Sequence, residues 1–142
     1  MPRADFYLTD SPRFRDQPLL LVCELARKCL LQGGQPTLLL CASQQQAEAL
    51  DELLWAFDED AYIPHQIAGT DEEDAVTPVL LVAPGTEVPP RPLVINLRDA
   101  AVTLPCERVL EVVPADPAQR EALRERWRQY KARGFHLTKH DM

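Results

Sequence analysis

The chain has 142 residues, 46% of them hydrophobic and 26% charged, with a net charge of −7. That length suits one ordinary domain that buries a core without staples, and residues 1–142 are read as a single domain. The acidic balance argues against broad, non-specific nucleic-acid binding, no stretch reaches the roughly 18 apolar residues of a membrane helix, and Asp5 interrupts the start where a secretion signal needs an apolar run, so a cytoplasmic protein is expected.

Phe6-Tyr7-Leu8 reads as a first strand, closed by the turn signal Thr9-Asp10-Ser11-Pro12. Pro18 to Gln32 follows with helical spacing of Leu21, Leu25 and Cys29, and Gly33-Gly34 ends it. Thr37 to Cys41 is a continuous apolar run, the pattern of a strand covered on both faces. Ser43 caps a second helix reaching Trp55, with Ala47, Leu50 and Leu54 on its apolar face. Asp58 to Asp74 is irregular and acidic. Pro78 to Val82, Leu93 to Leu97 and Arg108 to Val112 are further strands. Asp116-Pro117 opens the last helix, which Gly134 closes.

Apolar strands alternating with helices predict an α/β fold. The expected architecture is Rossmann-like and three-layered, with a mostly parallel central sheet and helices packed around it. No full helix separates the strands near 80 and 95, so the sheet is expected to be mixed there.

Little in the chain points to catalysis. The loop Leu8 to Arg15 has no glycine, and phosphate-cradling loops need glycines so that backbone N–H groups can approach the phosphates. Ser11 and Ser43 lack a nucleophile-elbow setting. Cys23, Cys29, Cys41 and Cys106 form no C-x-x-C pair, and the histidines have no zinc-ligand spacing; reduced, mostly buried thiols are expected. The acids of 58–74 do not match an alternating calcium loop. No metal or cofactor is expected. His65, in Tyr62-Ile63-Pro64-His65, is the remaining candidate base, without an identifiable partner.

The last helix is the strongest signal. Between Pro117 and Gly134 six basic residues face two acidic ones, net +4, which leaves −11 on the rest of the chain. At about 100° per residue, Arg120, Arg124, Arg128 and Lys131 share an arc roughly 80° wide. Leu123, Trp127 and Tyr130 form the neighbouring arc. Such a stripe suits an anionic peptide, with arginines on carboxylates and an apolar side chain against the aromatic edge. Two other readings remain: a solvated helix face whose stems cover the core, and direct binding of single-stranded nucleic acid.

Several segments in order, Asp5-Phe6-Tyr7-Leu8, Leu50-Asp51-Glu52-Leu53-Leu54-Trp55, Tyr62 to Gly69, and Arg124 to Lys131 with Gly134-Phe135, resemble the chi subunit of bacterial DNA polymerase III holoenzyme. Trp127, where some relatives carry tyrosine, and the acidic loop 70–78 depart from it. The resemblance implies a non-enzymatic adaptor without nucleotide activity. It implies that the chain joins the psi subunit of the clamp loader to single-stranded DNA-binding protein, whose acidic C-terminal tail ends in proline and phenylalanine. The tail site then falls on Arg120, Arg124, Trp127 and Arg128; Lys131 joins them by its angle alone. A second surface, for psi or for a helicase of the iron–sulfur family, falls on Trp55, Tyr62, Ile63, Pro64 and His65.

Overall fold

The computed structural model describes residues 2–9, 17–56, 63–69, 72–113 and 117–141. Its elements in chain order are β1 (Arg3–Leu8), α1 (Pro18–Gln32), β2 (Thr37–Leu40), α2 (Gln44–Ala56), β3 (His65–Ile67), β4 (Val79–Val82), β5 (Leu93–Asn96), β6 (Arg108–Val113), α3 (Arg120–Ala132) and β7 (His136–Asp141). Single turns of 3-10 helix at Glu72–Ala75 and Pro117–Gln119 precede β4 and α3.

The seven strands form one sheet in the order β3-β4-β2-β5-β6-β1-β7. Every pairing is parallel. The mixed sheet expected near residues 80 and 95 is therefore corrected. β4 and β5 do not pair with each other; β2 lies between them and pairs in parallel with both. All four residues of β2, β4 and β5 are buried, as a sheet covered on both faces requires.

Side chains alternate between two cores. Tyr7, Leu39, Leu81, Ile95 and Leu110 pack with α1 and α2 on one face. Phe6, Leu38, Leu80, Val94 and Val109 pack with α3 on the other. The result is three layers, with α3 on the opposite side from the first two helices.

Two strands escape the apolar-run reading. β3 is three residues long and sits at one edge, pairing with β4. β7 is polar and sits at the other edge, pairing with β1. An edge strand needs no continuous apolar run, because solvent reaches one side of it.

Local chemistry fixes the helix ends. Ser43 Oγ accepts the Gln46 N–H at 3.0 Å, while Gln46 Oε1 accepts the Ala42 N–H at 2.7 Å, a reciprocal start for α2. Gly134 closes α3 at φ +83°, a conformation that side chains with a Cβ resist. Asp116, read as the cap of the last helix, lies outside the described residues, and so do Asp10 to Arg15.

Two arginines bind carbonyls at the two ends of β2 and β4. At the amino ends, Arg91 donates to Thr37 O, Thr77 O and Pro78 O at 3.2, 2.7 and 3.1 Å, and to Asp74 O at 2.7 Å. At the carboxyl ends, Arg98 donates to Cys41 O and Val82 O, each at 2.9 Å. Open α/β sheets bind their ligands at those carboxyl ends. Here a side chain of the protein occupies two of the carbonyls there.

Candidate functional site

α3 crosses β1 and β7 and leaves a cavity of about 440 Å³ beside them. Phe6 and Leu8 of β1 and Leu123 and Trp127 of α3 give it apolar walls; Arg124 and Arg128 stand on its helix side and Lys139 of β7 on its strand side. The Trp127 ring lies 5.1 Å from that of Phe6, tilted at 55°. Trp127 is half-buried, and both arginines are exposed.

The rim cations are already in contact with acids of their own helix. Arg128 donates to Glu125 Oε2 at 3.0 Å and lies 3.9 Å from Glu121. Arg124 also lies 3.9 Å from Glu121. These are exposed pairs and contribute little to stability. They hold the guanidinium groups near the groove while leaving them exchangeable toward an incoming carboxylate.

What fixes the roll of α3 is a buried polar cluster that periodicity alone does not reveal. Glu111 on β6 is fully buried. Its Oε2 accepts the Tyr130 hydroxyl at 2.6 Å and the Asn96 amide at 2.7 Å. The Tyr130 oxygen in turn accepts the Val102 N–H at 2.9 Å. Arg126, also buried, puts Nε 3.0 Å from Glu111 Oε1, an ion pair whose N–H points off the hydrogen-bond line. Burial pushes the Glu111 carboxyl up from its ordinary value, against the pull of Arg126, Asn96 and Tyr130. Burial, with Glu111 beside it, pushes the Tyr130 hydroxyl up as well, which keeps it a donor. Tyr130 and Arg126 point into the sheet, so Arg124 and Arg128 point out of it. Arg126 could have been found from its angle: it falls beside Tyr130 on the buried arc, and a charge there requires a buried acid.

The other predicted groove residues divide. Arg124, Trp127 and Arg128 line the cavity; Arg120 and Lys131 are exposed on the same helix and do not line it. Lys131 shares the angular arc but lies nearly a turn beyond Arg128 along the axis, because angle alone carries no information about height.

The second candidate surface also separates into parts. Trp55 is 54% exposed at the end of α2. Its ring meets that of His65 at 4.6 Å. Ile63 and His65 are buried and Pro64 half-buried, so Ile63 and His65 support Trp55 from within instead of offering themselves to a partner. His65 Nδ1 lies 2.6 Å from Ile63 O, and Nε2 lies 3.0 Å from Asp51 O. Nε2 also lies 3.3 Å from the Asp51 carboxylate, so the partner that the sequence did not identify for His65 is Asp51, through both its carbonyl and its side chain. Tyr62 lies outside the described residues. Of the acidic segment, Asp74 accepts from the Gln66 side chain and, at 2.9 Å, from the Gly69 N–H, which latches the loop to β3.

The reverse face of β1 carries another buried acid, Asp5. It accepts from Arg108 Nε at 2.7 Å and lies 3.3 Å from His140 Nε2. Burial opposes its ionisation, but the bonds from Arg108 and His140 outweigh that and hold the carboxyl below its ordinary value. Asp5 thereby ties β6 and β7 to the strand between them.

The sequence matches the family model described as DNA polymerase III chi subunit, HolC, over residues 1–138. It is 42% identical to DNA polymerase III subunit chi of Pseudomonas aeruginosa, over 99% of this chain and 96% of that one. It is 32% identical to the subunit chi of Escherichia coli, over 97% of each. Among solved structures, the chain resembles S. cerevisiae Dbp5 bound to RNA and ADP BeF3, with a TM-score of 0.64 at 13% identity, covering 99% of this chain and 41% of that one. It also resembles the C-terminal domain of a Dbp5 variant bound to a Gle1 variant and IP6, with a TM-score of 0.61 at 14% identity, covering 99% of this chain and 90% of that one. At those identities the likeness is one of fold.

Proposed function

The chain belongs to the DNA polymerase III chi subunit family, and from that premise we propose that it is a non-enzymatic adaptor whose α3 groove binds the acidic C-terminal tail of single-stranded DNA-binding protein. The groove supports this reading most directly: apolar walls from Phe6, Leu8, Leu123 and Trp127 under a rim of Arg124, Arg128 and Lys139. An apolar terminal side chain seats against the apolar wall that Phe6, Leu8, Leu123 and Trp127 form together. The preceding acids meet the guanidinium groups, which accept carboxylates in a forked geometry. Opposite charge speeds the encounter and makes it salt-sensitive. Contact with DNA is indirect, through the partner.

Trp55 is the centre of the second surface in this reading, for the psi subunit of the clamp loader or, in some members, a helicase of the iron–sulfur family. An aromatic side chain this exposed is the kind that contributes heavily to interface energy once covered. Residues 1–142 act as one domain, in the cytoplasm.

The test is calorimetric titration with a synthetic tail peptide. Arg124→Ala and Arg128→Ala each weaken binding by about tenfold, the scale of a charge-assisted hydrogen bond, with unchanged thermal unfolding. Wild-type affinity in both variants would assign the tail to another surface, and tight binding of bare single-stranded DNA at physiological salt would favour a direct nucleic-acid module.

A further inference from the structure

The basic stripe of α3 presents less charge than its composition suggests. Of the six basic residues between Pro117 and Gly134, Arg126 is buried against Glu111. Arg133 turns aside: it donates to Val102 O at 2.6 Å and lies over the Phe135 ring. That leaves Arg120, Arg124, Arg128 and Lys131 exposed on the stripe. Two acids of the same helix, Glu121 and Glu125, are exposed among them. Glu121 lies 3.9 Å from both Arg124 and Arg128, and Glu125 Oε2 accepts from Arg128 at 3.0 Å. Four cations less two acids leave the stripe at +2.

Stability does not account for these acids, because exposed pairs contribute little to it. Their position matters for ligands. An uninterrupted row of helix cations is an electrostatic footprint for nucleic acid. A single strand carries a charge on every nucleotide and gains affinity by releasing counterions as cations neutralise its phosphates. It cannot lay phosphates along Arg124 and Arg128 without bringing them against Glu121 and Glu125. An acidic peptide with an apolar end has a second source of affinity, the cavity of Phe6, Leu8, Leu123 and Trp127, which neither acid lines. Specificity is a difference of affinities, and a repulsive element set against the wrong partner is one way to produce it.

We propose that Glu121, together with Glu125, is a specificity-determining residue that keeps single-stranded nucleic acid off the α3 stripe. Each acid acts twice: it neutralises a rim arginine, and it repels a phosphate placed beside that arginine. Glu121 is the more central of the two, since it stands within reach of both rim arginines. Loss of both acids raises the exposed charge of the stripe from +2 to +4 and leaves the apolar walls of the groove as they are.

The experiment is fluorescence anisotropy of a labelled oligothymidylate titrated with the full chain. Wild type is compared with Glu121→Gln, with Glu121→Gln/Glu125→Gln and with Glu48→Gln/Glu52→Gln. The last pair removes the same charge from exposed positions of α2, on the opposite face of the sheet. At low salt Glu121→Gln binds the strand about threefold tighter than wild type and the α3 double variant about tenfold tighter, the scale of one and two exposed ion pairs. Affinity of the double variant also falls more steeply with salt, because roughly four phosphates are engaged in place of about two. The α2 double variant binds as wild type does, and adding Arg128→Ala to the α3 double variant removes most of the gain. A synthetic acidic tail peptide, which also uses the cavity, gains only about twofold. All the replaced acids are exposed, so the variants keep their fold, which thermal unfolding checks. The assignment is overturned if the α3 double variant binds the strand no tighter than wild type, if the α2 double variant gains as much, or if the peptide gains as much as the strand. If wild type binds no peptide, the tail reading fails, while the oligothymidylate titrations still decide whether the two acids repel the strand.

Discussion

Trp127 and Trp55 are the chain's two tryptophans, and they sit in opposite kinds of surface. Trp127 is half-buried against Phe6, in a concave groove with cations on both walls. Trp55 stands out from the end of α2, with the buried His65 ring beneath it. A concave, preformed site favours a short extended ligand, because the protein loses little freedom when the ligand enters. A protruding aromatic needs a partner that brings its own pocket, which a folded subunit can do. The two surfaces also differ in support. The groove depends on the Glu111 cluster that sets the roll of α3, whereas Trp55 rests on a few local contacts.

The largest expected effect tests that difference in support. Glu111→Ala leaves Arg126 charged and unpaired in the interior and removes the acceptor of Tyr130 and Asn96. It should cost roughly 3–5 kcal/mol in urea unfolding. Trp55→Ala should cost about 1 kcal/mol, the scale of one aromatic contact. Equal losses would remove the distinction between a built groove and a local prominence.

A smaller effect concerns the strand wall of the groove. The Asp5 carboxyl is held below its unfolded value of 3.8. Its contribution is therefore present above that value and is lost as pH falls through the lower folded one. Acid titration of stability should show a steeper loss below about pH 4 in wild type than in Asp5→Asn. Parallel curves would mean that Asp5 does not tie β7 to β1.

The helical half of the groove was legible in the sequence because charge and apolar residues repeat with helical spacing between Arg120 and Tyr130. Its strand half was not. Lys139 reaches the groove only through the pairing of β7 with β1, which joins the two ends of the chain and leaves no local pattern. Glu111 and Arg126 meet across a strand and a helix for the same reason. In the central sheet, the buried runs of β2, β4 and β5 were plain, but strand order was not, so a mixed sheet was expected near β4 and β5, where β2 lies between them and all three run in parallel. Around Trp55 the resemblance grouped five residues as one surface. Burial separates Ile63, two residues before β3, and His65, the first residue of β3, from it.

With one tryptophan in each surface, a nitrogen-labelled sample reports both sites through two indole signals. Titration with the tail peptide should shift the Trp127 indole progressively and leave that of Trp55 in place. A shift of the Trp55 indole with that of Trp127 unmoved would contradict the assignment of the tail to the α3 groove.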